Sequence, residues 1–536
     1  MPEQLTRTTR TIDGYHVTVE FDPQMALPLG YLSLIAPAVR VSIYRAEAND
    51  GAATSAGIAP HVLLLRHIFP APEAKMRKAA RQQWIDGCVR RLLDLLAMPE
   101  AQLGDQRDVL MSGVYSAGSD LDLYVIETAR PREGYTEALA FHAPSGSSVH
   151  RRVVSADSLA PVRELISQVW QRELQTYRPR DGSRYTLDHV AGCLLGGAVG
   201  DALGAGLARY SLAQIRAEFG EDGANDYIPI NGQIGTLSWH SQMSLFTAEG
   251  FIRANRRYRE KGICDVVGVI QRAYYRWLST QGEPPPDPDA IHGMAHGWLA
   301  SLPALHHRRG ASHTVFAALR GGARGTPAQP INQSKGAGAL ARVAPAGLSS
   351  LIDPFGMGVD IAALTHGHPT GYLAAGCFVV LIKQIIDGAA LTDALDAAST
   401  ALSQVQNHEE CLTALNRARQ LATHAPATAE SVEQLGRGFS AEEALAIAVF
   451  CALKAEDFAH GVRLAINHSG ASDLTGALTG QLLGALLGKR AIPERWLQRL
   501  ELRDEIERLG RDLFLEFGGF PHASWFASGW DTYPGW

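Results

Sequence analysis

Two segments of this chain carry glycine at every fourth position. Gly192, Gly196, Gly200 and Gly204 form one series, and Gly476, Gly480, Gly484 and Gly488 form the other. Both segments are otherwise rich in Ala and Leu with a helical period. Each glycine inside a helix costs about 1 kcal/mol relative to alanine. A stripe of four is tolerated where the bare face packs backbone to backbone against another element. That element can be any close neighbour. If each stripe faces the other, the two helices are the centre of one bundle, and their ends bring sequence-distant residues together.

The rest of the pattern divides the chain. At 536 residues it exceeds one ordinary core. Its 46% hydrophobic and 19% charged residues describe a folded globular protein. Residues 1–180 read as a smaller α+β accessory or recognition domain. Tyr15–Phe21, Ala38–Tyr44, His61–Phe69 and Leu121–Ile126 have strand character. Glu73–Ala97 reads as a helix with Met76, Ala80, Trp84, Cys88, Leu92 and Leu96 as its buried stripe, and Pro161–Leu174 as another. A polar, structure-breaking stretch, Arg178–Ser183, marks the boundary. Residues 185–536 read as all-α, with helices at 187–207, 240–257, 263–279, 370–387, 441–455, 474–488 and 494–509.

Several classes are excluded at this level. A net charge of -6 argues against a nucleic-acid partner and against an anionic membrane surface. No run reaches the roughly 18 apolar residues of a bilayer span. The N-terminus lacks an apolar leader core, and the six cysteines are scattered without a CxxC, so a reduced cytoplasmic protein is expected.

Five motifs then occur in a fixed order. They are AGCLLGGAVGDALGAGL (Ala191–Leu207), NQSKGAGALARVAP (Asn332–Pro345), ALTHGHPTGYLAAG (Ala363–Gly376), AINHSGASDLTGALTGQLLGALLG (Ala465–Gly488) and WDTYPGW (Trp530–Trp536). Together they resemble the ADP-ribosylglycohydrolase family, to which the dinitrogenase reductase-activating glycohydrolase belongs, over about 187–536. The resemblance implies an all-α bundle with two Mg²⁺ ions in a central cleft. It also implies hydrolysis of the bond joining ADP-ribose to a protein side chain. No family is recognised for the N-terminal domain.

The resemblance fails at the residues that would hold the metal. The family's Thr-Asp-Asp stretch falls on Ser238-Trp239-His240. Its Asp-x-Asp-[Ser/Thr] stretch falls on Ala471-Ser472-Asp473-Leu474, and its Glu after the first helix on Ala208. Only Asp473 is retained. Mg²⁺ takes oxygen ligands, and histidine is a poor donor to so hard an ion. Two doubly charged ions repel four times as strongly as a unit pair, which itself reaches about 4 kcal/mol at about 4 Å and an effective dielectric near 20. One carboxylate does not offset that, so no metal and no other cofactor is expected. The competing account is a shifted alignment in which Glu218, Glu249 or Asp457 supplies the carboxylates and Mg²⁺ is bound after all.

The ligand-holding positions match better. Asn332, Ser334, Gly336 and Gly338 form a loop whose amides suit a diphosphate. The resemblance places His366 near the ribose, with His468 and Ser469 leading into the closing motif. Gly338 and its neighbours equally suit an ordinary tight turn, and His366 a helix cap beside Pro369. Three other signals are weaker. Gly118–Asp122 echoes a nucleotidyltransferase turn, His292 and His296 have metal-pair spacing, and Arg253, Arg256, Arg257, Arg259 and Lys261 read as a solvated basic helix face.

Three functions follow. The first is a non-catalytic binder, a pseudoenzyme recognising ADP-ribose, ADP-ribosylated protein or an ADP-ribosyltransferase toxin. Bacterial relatives that act as immunity proteins make the last plausible by analogy. The second is an active hydrolase with a metal-poor site, using Asp473 as acid or base and His240 as its partner. In the third, the N-terminal domain carries the function and the α-domain is its scaffold.

Overall fold

A computed structural model describes residues 6–13, 15–29, 32–46, 61–70, 78–96, 109–117, 121–128, 135–142, 149–155, 182–286, 297–310, 312–349, 353–518 and 533. The chain packs as two units, Met1–Thr176 and Tyr177–Trp536.

The N-terminal unit contains two antiparallel sheets of four strands, each in sequential order. The first comprises β1 (Thr6–Ile12), β2 (Tyr15–Leu29), β3 (Leu32–Ala46) and β4 (His61–Pro70). Helix α1 (Lys78–Leu96) follows. The second comprises β5 (Val109–Ala117), β6 (Leu121–Thr128), β7 (Tyr135–His142) and β8 (Val149–Ser155). The alternation in β2 and β3 puts Val17, Val19, Phe21, Val39, Val41 and Ile43 on one buried face. Against them α1 lays Ile85, Cys88, Val89 and Leu93, with Trp84 partly covered, whereas Ala80 is exposed. The expected four-residue stripe thus holds at Cys88 and in part at Trp84 and fails at Ala80, and Met76 lies outside the described residues. At 3.6 residues per turn, positions four apart drift by about 40°. Pro161–Leu174 and Gly118–Asp120 lie outside the described residues.

The C-terminal unit is helical, and its only strand-like pairings among the described residues are isolated bridges. Its axis is the pair α2 (Leu187–Ala205) and, near the end of the unit, Ser472–Leu487. Thr186 caps α2 by accepting the His189 amide. The two glycine stripes face each other in antiparallel register. A Cβ added at Gly192 would lie 2.5 Å from the Gly484 carbonyl oxygen, and those at Gly196, Gly200 and Gly204 would collide with the carbonyls of Gly480, Gly476 and Ser472. Nearly every residue of both helices is buried. The C-terminal end of α2 is thus held against the start of the closing helix, where Asp473 stands.

The closing glycine helix of this pair is α6 (Ser472–Leu487), and around the pair run α3 (Trp239–Lys261), α4 (Val266–Thr280), α5 (Pro369–Ile386) and α7 (Arg503–Phe517). Among the described residues α5 is the one helix long and apolar enough to cross a membrane, and 72% of that window is buried inside the unit. The helix expected over 494–509 is broken. Glu494–Leu497 ends, Leu502 takes a left-handed conformation (φ 56°), and α7 begins at Arg503. The break directs Glu501 sideways. Its amide donates to the Gly235 carbonyl at 2.9 Å and its carboxylate accepts the Leu237 amide at 3.0 Å.

The basic helix face is also corrected. Arg253 and Arg256 are buried. The Glu249 carboxylate, fully buried, accepts from Arg253 (3.2 Å) and Arg276 (2.8 Å), and Arg256 pairs with Glu516 at 3.3 Å. A four-residue spacing of charge looks the same in sequence whether it faces water or a buried partner.

Candidate functional site

The site forms where α2 ends, α3 begins and α6 begins. Asp201, fully buried on α2, organises it. Its Oδ2 accepts the amides of Ser238 (3.0 Å) and Ser241 (3.3 Å), so a carboxylate from one helix caps the start of another. The Ser238 hydroxyl adds the His240 amide at 3.1 Å. Burial raises the Asp201 pKa to about 7, and the Asp473 charge adds to the rise against the Ser238 and Ser241 hydrogen bonds. Sequence reading passed over Asp201, although it sits in the Gly-Asp-Ala-Leu-Gly string.

Beside this junction lies a cleft of about 560 Å³. Its lining includes Ala208, Ser238 and Asp473, three of the positions at which metal ligands were sought. Asn231, Gln233 and Arg309 line it as well. Arg309 is held in a two-pronged pair with Glu501 (2.6 and 2.9 Å), and Arg308 pairs with Glu283 while lying 4.9 Å over Phe316. Both guanidiniums thus carry their own counterions.

The positions that the resemblance aligns with metal ligands carry few donor atoms, and the carboxylates at the junction are Asp473 and Asp201, whose Oδ1 is buried without a hydrogen-bond partner. Ala208, Ala471 and Leu474 offer no side-chain ligand atom. Trp239 offers none either, and its ring lies 4.1 Å from that of His240. Among the described residues no three His, Cys, Asp or Glu side chains converge on one point. The carboxylates of a shifted alignment are engaged or distant. Glu249 is neutralised by two arginines, Asp457 caps Phe458–Ile466 by accepting the His460 amide at 2.7 Å, and Glu218 is exposed. None of the three lines the cleft.

His240 and Asp473 do meet. Nε2 lies 3.7 Å from Oδ2, an approach outside hydrogen-bond range. Burial lowers the His240 pKa, against a smaller opposing pull from Asp473, so the imidazole is neutral at physiological pH. Its Nδ1 is buried without a hydrogen-bond partner.

The remaining candidates stand apart from the cleft. Asn332 is consumed in stitching: its amide group donates to the Thr365 carbonyl (2.9 Å) and its oxygen accepts the Ser334 and Gly367 amides (3.0 Å each). The Gly336 amide donates to the Ser334 hydroxyl and the Ala337 amide to the Phe439 carbonyl. Those loop amides are therefore occupied within the protein. His366 is 1% exposed, and burial followed by the nearby Arg342 charge lowers its pKa to about 3. Arg342 donates to Thr365 Oγ1 at 2.6 Å, and that hydroxyl in turn meets His366 Nδ1 at 2.8 Å. Burial also lowers His468, to about 4. Its Nδ1 contacts the Ser469 carbonyl (3.0 Å) and its Nε2 the Thr475 hydroxyl (2.9 Å). Ser469 bonds Glu433 and accepts the Leu212 amide at 2.8 Å. Of the nine catalytic and ligand-binding candidates, Asp473 alone lines the cleft, with His240 behind it. His292 and His296 lie outside the described residues.

Known proteins resemble this chain over the same region. The family model for ADP-ribosylglycohydrolase matches residues 183–520. An uncharacterized protein of Archaeoglobus fulgidus is 26% identical over 333 residues, which span 60% of this chain and 94% of that protein. Among solved structures, an ADP-ribosylglycohydrolase-related protein complex aligns at 26% identity and a TM-score of 0.44, covering 61% of this chain and 97% of that one. The N-terminal unit falls outside the family match.

Proposed function

The chain belongs to the ADP-ribosylglycohydrolase family, and from that premise we propose that it is a non-catalytic member. In this reading the cleft beside Asp473 binds ADP-ribose or an ADP-ribosylated protein without a metal, and the N-terminal unit contributes a protein contact. The partner class includes the ADP-ribosyltransferase that makes the modification, as for a toxin and its immunity protein. One observation carries the proposal: the cleft lies at the α2–α6 junction, and Asp473 is the one carboxylate among the aligned ligand positions. Asp473 accepts hydroxyl donors from a ribose, and the amides of Asn231 and Gln233 supply both donors and acceptors. The N-terminal turn of α6 stabilises the Asp473 charge.

The 3.7 Å approach of His240 to Asp473 favours a second reading, residual hydrolysis by a general acid–base pair worth about 10²–10⁴-fold. Both are tested by incubating the full-length protein with ADP-ribosylated protein, with Mg²⁺ and with EDTA, alongside calorimetric titration with ADP-ribose. We expect binding without release of ADP-ribose in either condition. Turnover stimulated by Mg²⁺ would overturn the proposal. Turnover indifferent to EDTA and abolished by Asp473→Asn would establish the second reading instead.

A further inference from the structure

We propose that the C-terminal unit carries a second binding site, apart from the cleft, for a small zwitterion of the α-amino-acid class. A cavity of about 290 Å³ lies between the helix Phe458–Ile466, the turn at 221–223 and the segment 427–430. It shares no lining residue with the Asp473 cleft. Its volume is at the small end of the range for ligand sites, about 300–1,000 Å³. It therefore suits a molecule much smaller than ADP-ribose.

One helix face builds a wall of the cavity. His460, Arg463, Leu464 and Asn467 recur at the three- and four-residue spacing of a helix, and all four line it. Asn467 pins the neighbouring loop. Its Oδ1 accepts the Ala224 amide (2.8 Å) and its Nδ2 donates to the Ala224 carbonyl (2.9 Å). Asp222, two residues earlier, is thereby held in the lining.

The charges decide the ligand. Arg216 is spent on two carboxylates, Glu430 at 2.5 Å and Glu221 at 3.1 Å. Arg463 is not spent: it makes no ion pair among the described residues, and its Nε is buried without a hydrogen-bond partner. Its planar fork suits a carboxylate held by two parallel bonds. His460 adds a donor, because its Nδ1 accepts the Glu456 amide at 3.2 Å and the neutral ring then carries its proton on Nε2. Asp222 is exposed and likewise unpaired among the described residues, and it suits an ammonium group. The lining holds two guanidiniums and three carboxylates, an excess of one negative charge. A phosphate dianion would add two charges to that excess, a lone carboxylate one, and a zwitterion none. Leu212 and Leu464 offer apolar surface to a side chain.

Calorimetric titration of the full-length protein with L-leucine tests the proposal, alongside the deaminated analogue isocaproate, the decarboxylated analogue isoamylamine, and inorganic phosphate. Leucine should bind, each analogue should bind about tenfold more weakly, the worth of one charge-assisted contact, and phosphate should give no saturable heat. Arg463→Gln should weaken leucine by about tenfold or more. Asp222→Asn should bring leucine down to the level of isocaproate, and as an exposed change it serves if Arg463→Gln fails to fold. Saturating ADP-ribose should not displace leucine. Absence of saturable leucine binding, phosphate binding more tightly than leucine, displacement by ADP-ribose, or leucine affinity unchanged in both variants would overturn the inference. None of these outcomes depends on whether the cleft binds a metal.

Discussion

Gly200→Val is expected to abolish folding of the C-terminal unit. The α2–α6 contact is carbonyl against Cα, and a Cβ at Gly200 would overlap the Gly476 carbonyl. No rotamer relieves that clash, because the offending atom is the first atom of the side chain. Overpacking among flexible side chains typically costs about 1–3 kcal/mol. Here the obstacle is backbone held by three further glycine contacts, so the loss belongs with the exceptional cases beyond about 4 kcal/mol. Circular dichroism and soluble yield would record it. Gly87→Val is the control: that glycine lies in α1, where an added Cβ meets nothing within 4 Å, so its change should fall near ordinary helix propensities, below about 1 kcal/mol. A folded Gly200→Val with an unchanged melting temperature would contradict the packing described.

The second large effect is electrostatic. Glu249→Gln would leave Arg253 and Arg276 buried without the carboxylate that they share. Burial already lowers Arg253 to about 10, which still leaves it charged at neutral pH. Removing one member of a buried charge cluster typically costs about 3–5 kcal/mol, because the remaining charge is stranded away from water. Urea denaturation followed by tryptophan fluorescence should show the unfolding free energy falling by that amount, read as a lower midpoint at unchanged slope. A change below about 1 kcal/mol, the range of an exposed pair, would show that the cluster is hydrated.

Much of the fold was legible because its strongest signal is local and repetitive. The glycine stripes mark both axial helices, and their antiparallel pairing predicts where Asp473 stands. The α1 stripe holds at Cys88 but fails at Ala80 because a four-residue repeat drifts, and the break at Leu502 was missed because nothing in its own identity demands a left-handed conformation. The site was less legible. Ser238, Asp473 and Ala208 were found through the motifs, but Asp201 was overlooked because its partners are amides of a helix start far away in sequence. The Gly336–Gly338 loop reads the same whether a phosphate or an indole lies against it. Arg253 and Arg256 likewise look like surface residues until Glu249 and Glu516 are placed. In each case the missing information was a long-range contact.

The central proposal is that this family member holds no binuclear Mg²⁺ centre, because the positions that the resemblance aligns with its ligands carry Ala208, Trp239, His240, Ala471 and Leu474. Isothermal titration of the full-length protein with Mg²⁺, in a buffer free of other divalent ions, tests it most directly. The account predicts no tight site. Two tight sites whose loss accompanies Asp473→Asn would contradict it.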